Sequence, residues 1–139
     1  MKYRNLTLVQ VQKLAATLGK AAAKTGVIIG LSGDLGSGKT TFTKALAKSL
    51  GIKSVKSPTF IVAARHRLPH QFLWHLDFYR LNETKQLQAL GLTEILSGHN
   101  IVLIEWVEKF PQVKKICDIL INLTVKPNNK RDVEIKFKK

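Results

Sequence analysis

Apolar residues recur early in the chain at the spacing of a helix, with Leu8, Val11, Leu14, Ala15 and Leu18 falling on one face. Thr7 with Gln10 three residues on spells a capping box, and Leu6 and Val11 occupy the hydrophobic staple positions beside it. A helix over residues 8–23 is predicted, with Gly26 as its stop. The pattern then changes. Val27-Ile28-Ile29-Gly30-Leu31 is a continuous run rich in β-branched residues and without a polar face, as in a strand covered on both sides. From Lys39 onward helical spacing returns: Phe42, Ala45, Leu46 and Leu50 share one face, and Gly51 stands where a left-handed C-cap is needed. The residues between this strand and this helix are the glycine-rich stretch 33–40.

Further on, residues 60–64 and 72–79 read as two strands around a loop containing Pro69, which predicts a hairpin. Asn82 is the expected cap of a helix running to about Leu90, with Gly91 as its stop and a short turn near residues 93–96. Ile101-Val102-Leu103-Ile104-Glu105 is a second buried strand that ends in a carboxylate. Ile119, Ile121, Leu123 and Val125, then Val133, Ile135 and Phe137, alternate with mostly polar neighbours across Pro127-Asn128-Asn129, which predicts a closing hairpin. The expected fold is α/β and P-loop NTPase-like: a mixed central sheet flanked by helices, with a C-terminal β-hairpin. With 139 residues and no internal repeat or linker, residues 1–139 are expected to form a single domain. No run of 18 apolar residues occurs, so the expectation is a cytoplasmic protein without a membrane partner.

Charge adds a constraint on partners. Lys and Arg number 23 against 9 Asp and Glu, a formal charge of +14. The excess sits at the ends, residues 1–56 carrying +9 and residues 126–139 carrying +4. Such a field attracts polyanions, either RNA or a protein with an acidic surface; solvated faces of a lysine-rich chain would give the same count. The lone Cys117 reads as a small buried hydrophobe. The histidines at 66, 70, 75 and 99 show no paired helical spacing, so no zinc site is expected.

Gly33-Asp34-Leu35-Gly36-Ser37-Gly38-Lys39-Thr40 fits G-x-x-x-x-G-K-[ST]. Small residues at that spacing let successive backbone N–H groups turn inward around a polyphosphate at the positive end of a helix. Lys39 would reach the β- and γ-phosphates and Thr40 would offer its hydroxyl to Mg2+. A flexible linker with a solvated lysine is the plainer alternative, but a buried strand before the stretch and an amphipathic helix after it favour the phosphate loop. Phosphoryl transfer also needs a metal-facing carboxylate and a group that orients the attacking oxygen. Glu105 ends a strand at the edge where α/β folds gather ligands, so it is assigned metal contact, direct or through water; a plain surface glutamate is the alternative. In His75-Leu76-Asp77-Phe78-Tyr79-Arg80 the period of two puts His75, Asp77 and Tyr79 on one face, expected to be wet, and Leu76 and Phe78 on the other. Asp77 is a candidate for orienting water or holding the metal, with a structural salt bridge as the alternative. His75 reads as a hydrogen-bonded support rather than a base, and Trp74 and Trp106 as packing residues.

Four stretches taken together, GDLGSGKTT ending at Thr41, SPTF at 57–60, HLDFYRL at 75–81 and IEW at 104–106, resemble the TsaE (YjeE) family. These are small bacterial ATPases required for threonylcarbamoyladenosine (t6A) modification of tRNA, and the resemblance covers residues 7–108. It implies that ATP and Mg2+ bind the loop and that Thr59 lies in a switch-like segment. It further implies that Asp77, Glu105 and Trp106 are needed for activity, that Thr7 and Arg131 touch the nucleotide, and that the protein joins a TsaB–TsaD heterodimer. The last thirty residues depart most from the family pattern. Three other readings use the same loop. A GTPase is suggested by Asn129-Lys130-Arg131-Asp132, which spells N-K-x-D but falls in an expected hairpin turn. A small-molecule kinase would use Asp77 as base, yet few residues remain for a second-substrate lid. A docking module ordered by nucleotide would need no hydrolysis.

Overall fold

The computed structural model describes residues 1–53, 55 and 62–138. The continuous apolar runs form the middle of a seven-stranded sheet, because strands without a polar side are stable only where both faces are covered. In chain order the strands are β1 (Lys2–Leu6), β2 (Val27–Ser32), β3 (Ala63–Arg67), β4 (Phe72–Asp77), β5 (Ile101–Glu105), β6 (Ile119–Lys126) and β7 (Lys130–Phe137). Their order across the sheet is β1-β7-β6-β2-β5-β4-β3. β2 runs parallel to both β5 and β6, and β4 runs parallel to β5; β3, β7 and β1 attach as antiparallel outer strands.

Helices α1 (Leu8–Ala22) and α2 (Lys39–Ser49) cover one face, and α3 (Thr84–Ala89), α4 (Leu92–Ser97) and α5 (Pro111–Lys114) lie on the other. On the first face Ile29, Leu31, Leu73, Ile101 and Leu103 pack with Phe42 and Leu46 of α2. On the second, Leu76, Val102 and Ile104 pack with Leu87, Ile95 and Val113. The capping box of α1 is present in full: the Gln10 N–H donates to Thr7 Oγ1 and the Thr7 N–H to Gln10 Oε1. Gly51 has φ +90°, the left-handed value expected after α2.

Several expectations are corrected. Glu83, not Asn82, caps α3; Asn82 instead donates its backbone N–H to Gln86 Oε1. The turn expected near 93–96 is a full helix, α4, entered through Gly91 at φ +75°. The expected hairpin is formed by β3 and β4, but β3 begins at Ala63; residues 60 and 61 lie outside the described set. The face of β4 expected to be wet is so only toward its end: His75 is fully buried, Asp77 is half-buried and Tyr79 is exposed. β1 was not anticipated, and it is held at the edge by pairing with β7. No helix among the described residues is long and apolar enough to cross a membrane.

Candidate functional site

The stretch 33–38 leaves the carboxyl end of β2 and enters α2. Because β2 lies between parallel neighbours β5 and β6, this is the crevice where connections diverge to opposite sides of an α/β sheet. The backbone needs glycine there. Gly33 has φ +144°, and a Cβ on it would lie 2.5 Å from the Leu123 carbonyl oxygen of β6 and 2.6 Å from Ser37 Oγ. Gly38, at φ +104°, is the N-cap of α2 and brings no capping side chain. The first N–H groups of α2 therefore have neither an intrahelical carbonyl nor a side-chain cap, which leaves a positive helix end open toward the loop.

Lys39 is 5% exposed and folds back into this concavity. Its Nζ donates to the carbonyl oxygens of Gly33 and Asp34 and to Ser37 Oγ, and sits 3.9 Å from the centroid of the Trp106 ring. Burial lowers its pKa below the ordinary lysine value, opposed by the charges of Glu108, Glu105, Asp77 and Asp34. Trp106 holds its position through a left-handed backbone, φ +60°, that opens the short turn Val107–Lys109; its ring lies 5.0 Å from that of Tyr79. Trp106 is thus the wall against the lysine. Trp74 is a packing residue, as expected, against the second-face core.

Two elements bring the acidic groups to the same place. β4 and β5 are in parallel register with Asp77 opposite Glu105, so both carboxylates emerge at the carboxyl edge on the α2 side. Glu105 is 2% exposed; Thr40 Oγ1 donates to its Oε1 at 3.0 Å and His75 Nε2 lies 2.5 Å from its Oε2. The alternative of a plain surface glutamate is excluded by that burial. Asp77 accepts the Tyr79 N–H on Oδ1 at 3.0 Å. Its pKa is raised, by burial first and then by the neighbouring Glu105 charge, against lowering by that N–H bond, His75 and Lys39.

Arg131, at the start of β7, reaches across from the closing hairpin. Its Nε donates to the Ser37 carbonyl oxygen at 2.9 Å and its Nη2 to that of Gly36 at 3.4 Å. With Leu8, Val11, Ser37, Gly38, Thr41 and Asn129 it lines a small cleft beside the loop. Thr7, one residue before that cleft, is committed to capping α1. Leu35 projects outward at the tip of the loop, 76% exposed. Thr59 and the stretch 57–60 lie outside the described residues. Asn129 Oδ1 accepts from Arg131 Nη1 within the closing hairpin, and Asp132 Oδ1 accepts the Asn5 N–H of β1. The N-K-x-D spelling thus runs from the turn between β6 and β7 into a strand, not a helix. One site residue escaped the sequence reading. Glu108 Oε2 accepts the Gly33 N–H at 3.3 Å, an acid aimed at the loop from the turn after β5, and its only signal was a position three residues beyond Glu105.

A family model described as Threonylcarbamoyl adenosine biosynthesis protein TsaE matches residues 7–133. The chain is 34% identical over 113 residues to the tRNA threonylcarbamoyladenosine biosynthesis protein TsaE of Haemophilus influenzae, covering 81% of this chain and 72% of that one. It is 42% identical over 105 residues to the protein of the same name from Bacillus subtilis, covering 72% of this chain and 65% of that one. The crystal structure of Bacillus subtilis YdiB shares the fold with a TM-score of 0.77 at 29% identity, over 99% of this chain and 84% of that one. With the match spanning both the glycine loop and the paired carboxylates, the chain belongs to the TsaE family.

Proposed function

We propose that this protein is an ATP-binding and ATP-hydrolysing component of tRNA threonylcarbamoyladenosine biosynthesis, acting with a TsaB–TsaD heterodimer. One observation carries the reading: a lysine ammonium, a threonine hydroxyl and a buried carboxylate converge on a glycine loop at an open helix N-terminus. The donor set also fits Mg2+. That ion takes few protein ligands and completes its shell with phosphate and water, and Thr40 with Glu105 offers two oxygens already within hydrogen-bond distance of each other. Bound there, Mg2+ would supply neutralisation of phosphate charge.

The rest falls to the chain's own groups. The loop amides and the Lys39 ammonium hold the triphosphate, and the carbonyl contacts of Lys39 mark where that charge rests before a stronger anion draws it. Asp77, at the same sheet edge, has a carboxylate more basic than usual and is the group that orients the attacking water. Arg131 braces the loop through the Gly36 and Ser37 carbonyls and, with Thr41 and Leu8, borders the cleft beside the phosphates. Adenine is favoured over guanine, since N-K-x-D runs from the turn between β6 and β7 into a strand rather than a helix. The basic ends supply the attraction to tRNA or to an acidic partner surface. The test is phosphate release from ATP with and without purified TsaB–TsaD. The wild type should be slow alone and stimulated by the pair, and Lys39→Ala should lose both; an unaffected Lys39→Ala would overturn the site.

A further inference from the structure

The side chain of His75, on β4, is fully buried, and so is nearly all of Glu105, at 2% exposure. A buried carboxylate is stable only when its oxygens are occupied. Here the two oxygens have different partners: Thr40 Oγ1 donates to Oε1 at 3.0 Å, and His75 Nε2 lies 2.5 Å from Oε2. A carboxylate only accepts, so His75 Nε2 must carry the proton. The other ring nitrogen, Nδ1, is buried without a hydrogen-bond partner among the described residues. The Glu105 contact therefore needs a proton on Nε2 and places no demand on Nδ1.

We propose that His75 is a positioning residue: its Nε2–H pins Oε2 of Glu105 and thereby fixes Oε1 toward Thr40. The torsion that turns a glutamate carboxylate is broad and nearly two-fold, so hydrogen bonds rather than rotamer preference decide where its oxygens face. Thr40 alone supplies one such bond; His75 supplies the second and removes the rotation. Its consequence for turnover rests on the ATPase reading above, whereas the Nε2 proton and the pinned carboxylate do not.

Three variants and one spectroscopic measurement test the proposal. His75→Leu fills the space without a donor, and His75→Gln brings an amide N–H toward the position of Nε2. Loss of a partner that orients a ligand side chain costs about 10- to 100-fold in activity, and that loss of phosphate release is expected for His75→Leu, with affinity for a non-hydrolysable ATP analogue changed by less than about 3-fold. His75→Gln should recover most of the rate. In a Glu105→Gln background, His75→Leu should cause no further loss, because the two act through one bond. Equal loss in His75→Gln and His75→Leu, or independent losses in the double variant, would overturn the proposal. Should His75→Leu fail to fold, long-range proton–nitrogen correlation NMR of the wild type still decides: a protonated Nε2 supports the pin, and a bare Nε2 refutes it. A wild type that shows a protonated Nε2 yet hydrolyses no ATP with its partners would defeat the ATPase reading and leave the pin standing.

Discussion

Replacing Gly33 by alanine should damage the loop through a contact that can be named. The added Cβ would stand 2.5 Å from the Leu123 carbonyl oxygen and 2.6 Å from Ser37 Oγ. The serine hydroxyl can rotate away, but the carbonyl belongs to β6, whose neighbouring residues pair with both β2 and β7, so the loop itself must move. Gly36 is the natural control. It also has positive φ, +79°, but a Cβ there meets nothing within 4 Å. Gly36→Ala therefore carries the backbone strain alone, about 1–2 kcal/mol, while Gly33→Ala adds about 1–3 kcal/mol for the overpacked contact. For 139 residues the unfolding entropy is about 0.3 kcal/mol/K, so the melting temperature should fall by roughly 3–7 °C for Gly36→Ala and roughly 7–17 °C for Gly33→Ala. Differential scanning calorimetry of the two variants beside the wild type measures this. Equal falls, or a smaller fall for Gly33→Ala, would refute the claim that β6 confines the loop.

Three further predictions follow from charge and burial. Asp77 has a folded-state pKa raised above the ordinary 3.8, so its charged form costs stability, a cost present at neutral pH and relieved as pH falls through the folded pKa to the unfolded one. Asp77→Asn should therefore melt higher than the wild type at neutral pH, the difference vanishing in acid, while phosphate release falls at least about 10-fold; calorimetry across pH, with a release assay, checks both. The Cys117 thiol is 2% exposed and pushed up to about 12 by burial, so native protein at pH 8 should react with a maleimide on the order of 1,000-fold more slowly than unfolded protein, as timed by mass spectrometry. Arg131→Lys keeps the charge but cannot span the Gly36 and Ser37 carbonyls with one planar group, so nucleotide affinity by calorimetric titration should weaken by about 10-fold.

The parts of the fold legible in the sequence are those specified by near neighbours. The capping box at Thr7 and Gln10, the β-branched runs at 27–31 and 101–105, and the Pro127–Asn129 turn each announce their element within a few residues. β1 is different: Lys2–Leu6 is mostly polar, and it is a strand because β7 offers it an edge formed more than a hundred residues away. The cap of α3 is Glu83 rather than Asn82, a choice between adjacent residues that propensity does not make: Gln86 Oε1 accepts the backbone N–H of both.

The site divides the same way. The glycine loop and the acid at the end of β5 were visible as spacing, and the period of two in β4 correctly grouped His75 with Asp77. Periodicity identifies which residues share a face but not what covers it, so the burial of His75 against Glu105 was out of reach. Glu108 was missed for a related cause. It reaches Gly33 from a turn entered through the left-handed Trp106, and that conformation has no sequence signal in a bulky aromatic residue.

Loop amides, Lys39, Thr40 and Glu105 are expected to grip a magnesium-bound triphosphate together. A crystal structure of the protein with Mg2+ and a non-hydrolysable ATP analogue tests it most directly. Phosphates should lie inside residues 33–40, with Lys39 Nζ drawn from the Gly33 and Asp34 carbonyls onto a phosphate oxygen. Nucleotide bound elsewhere, with Lys39 still folded on those carbonyls, would contradict it.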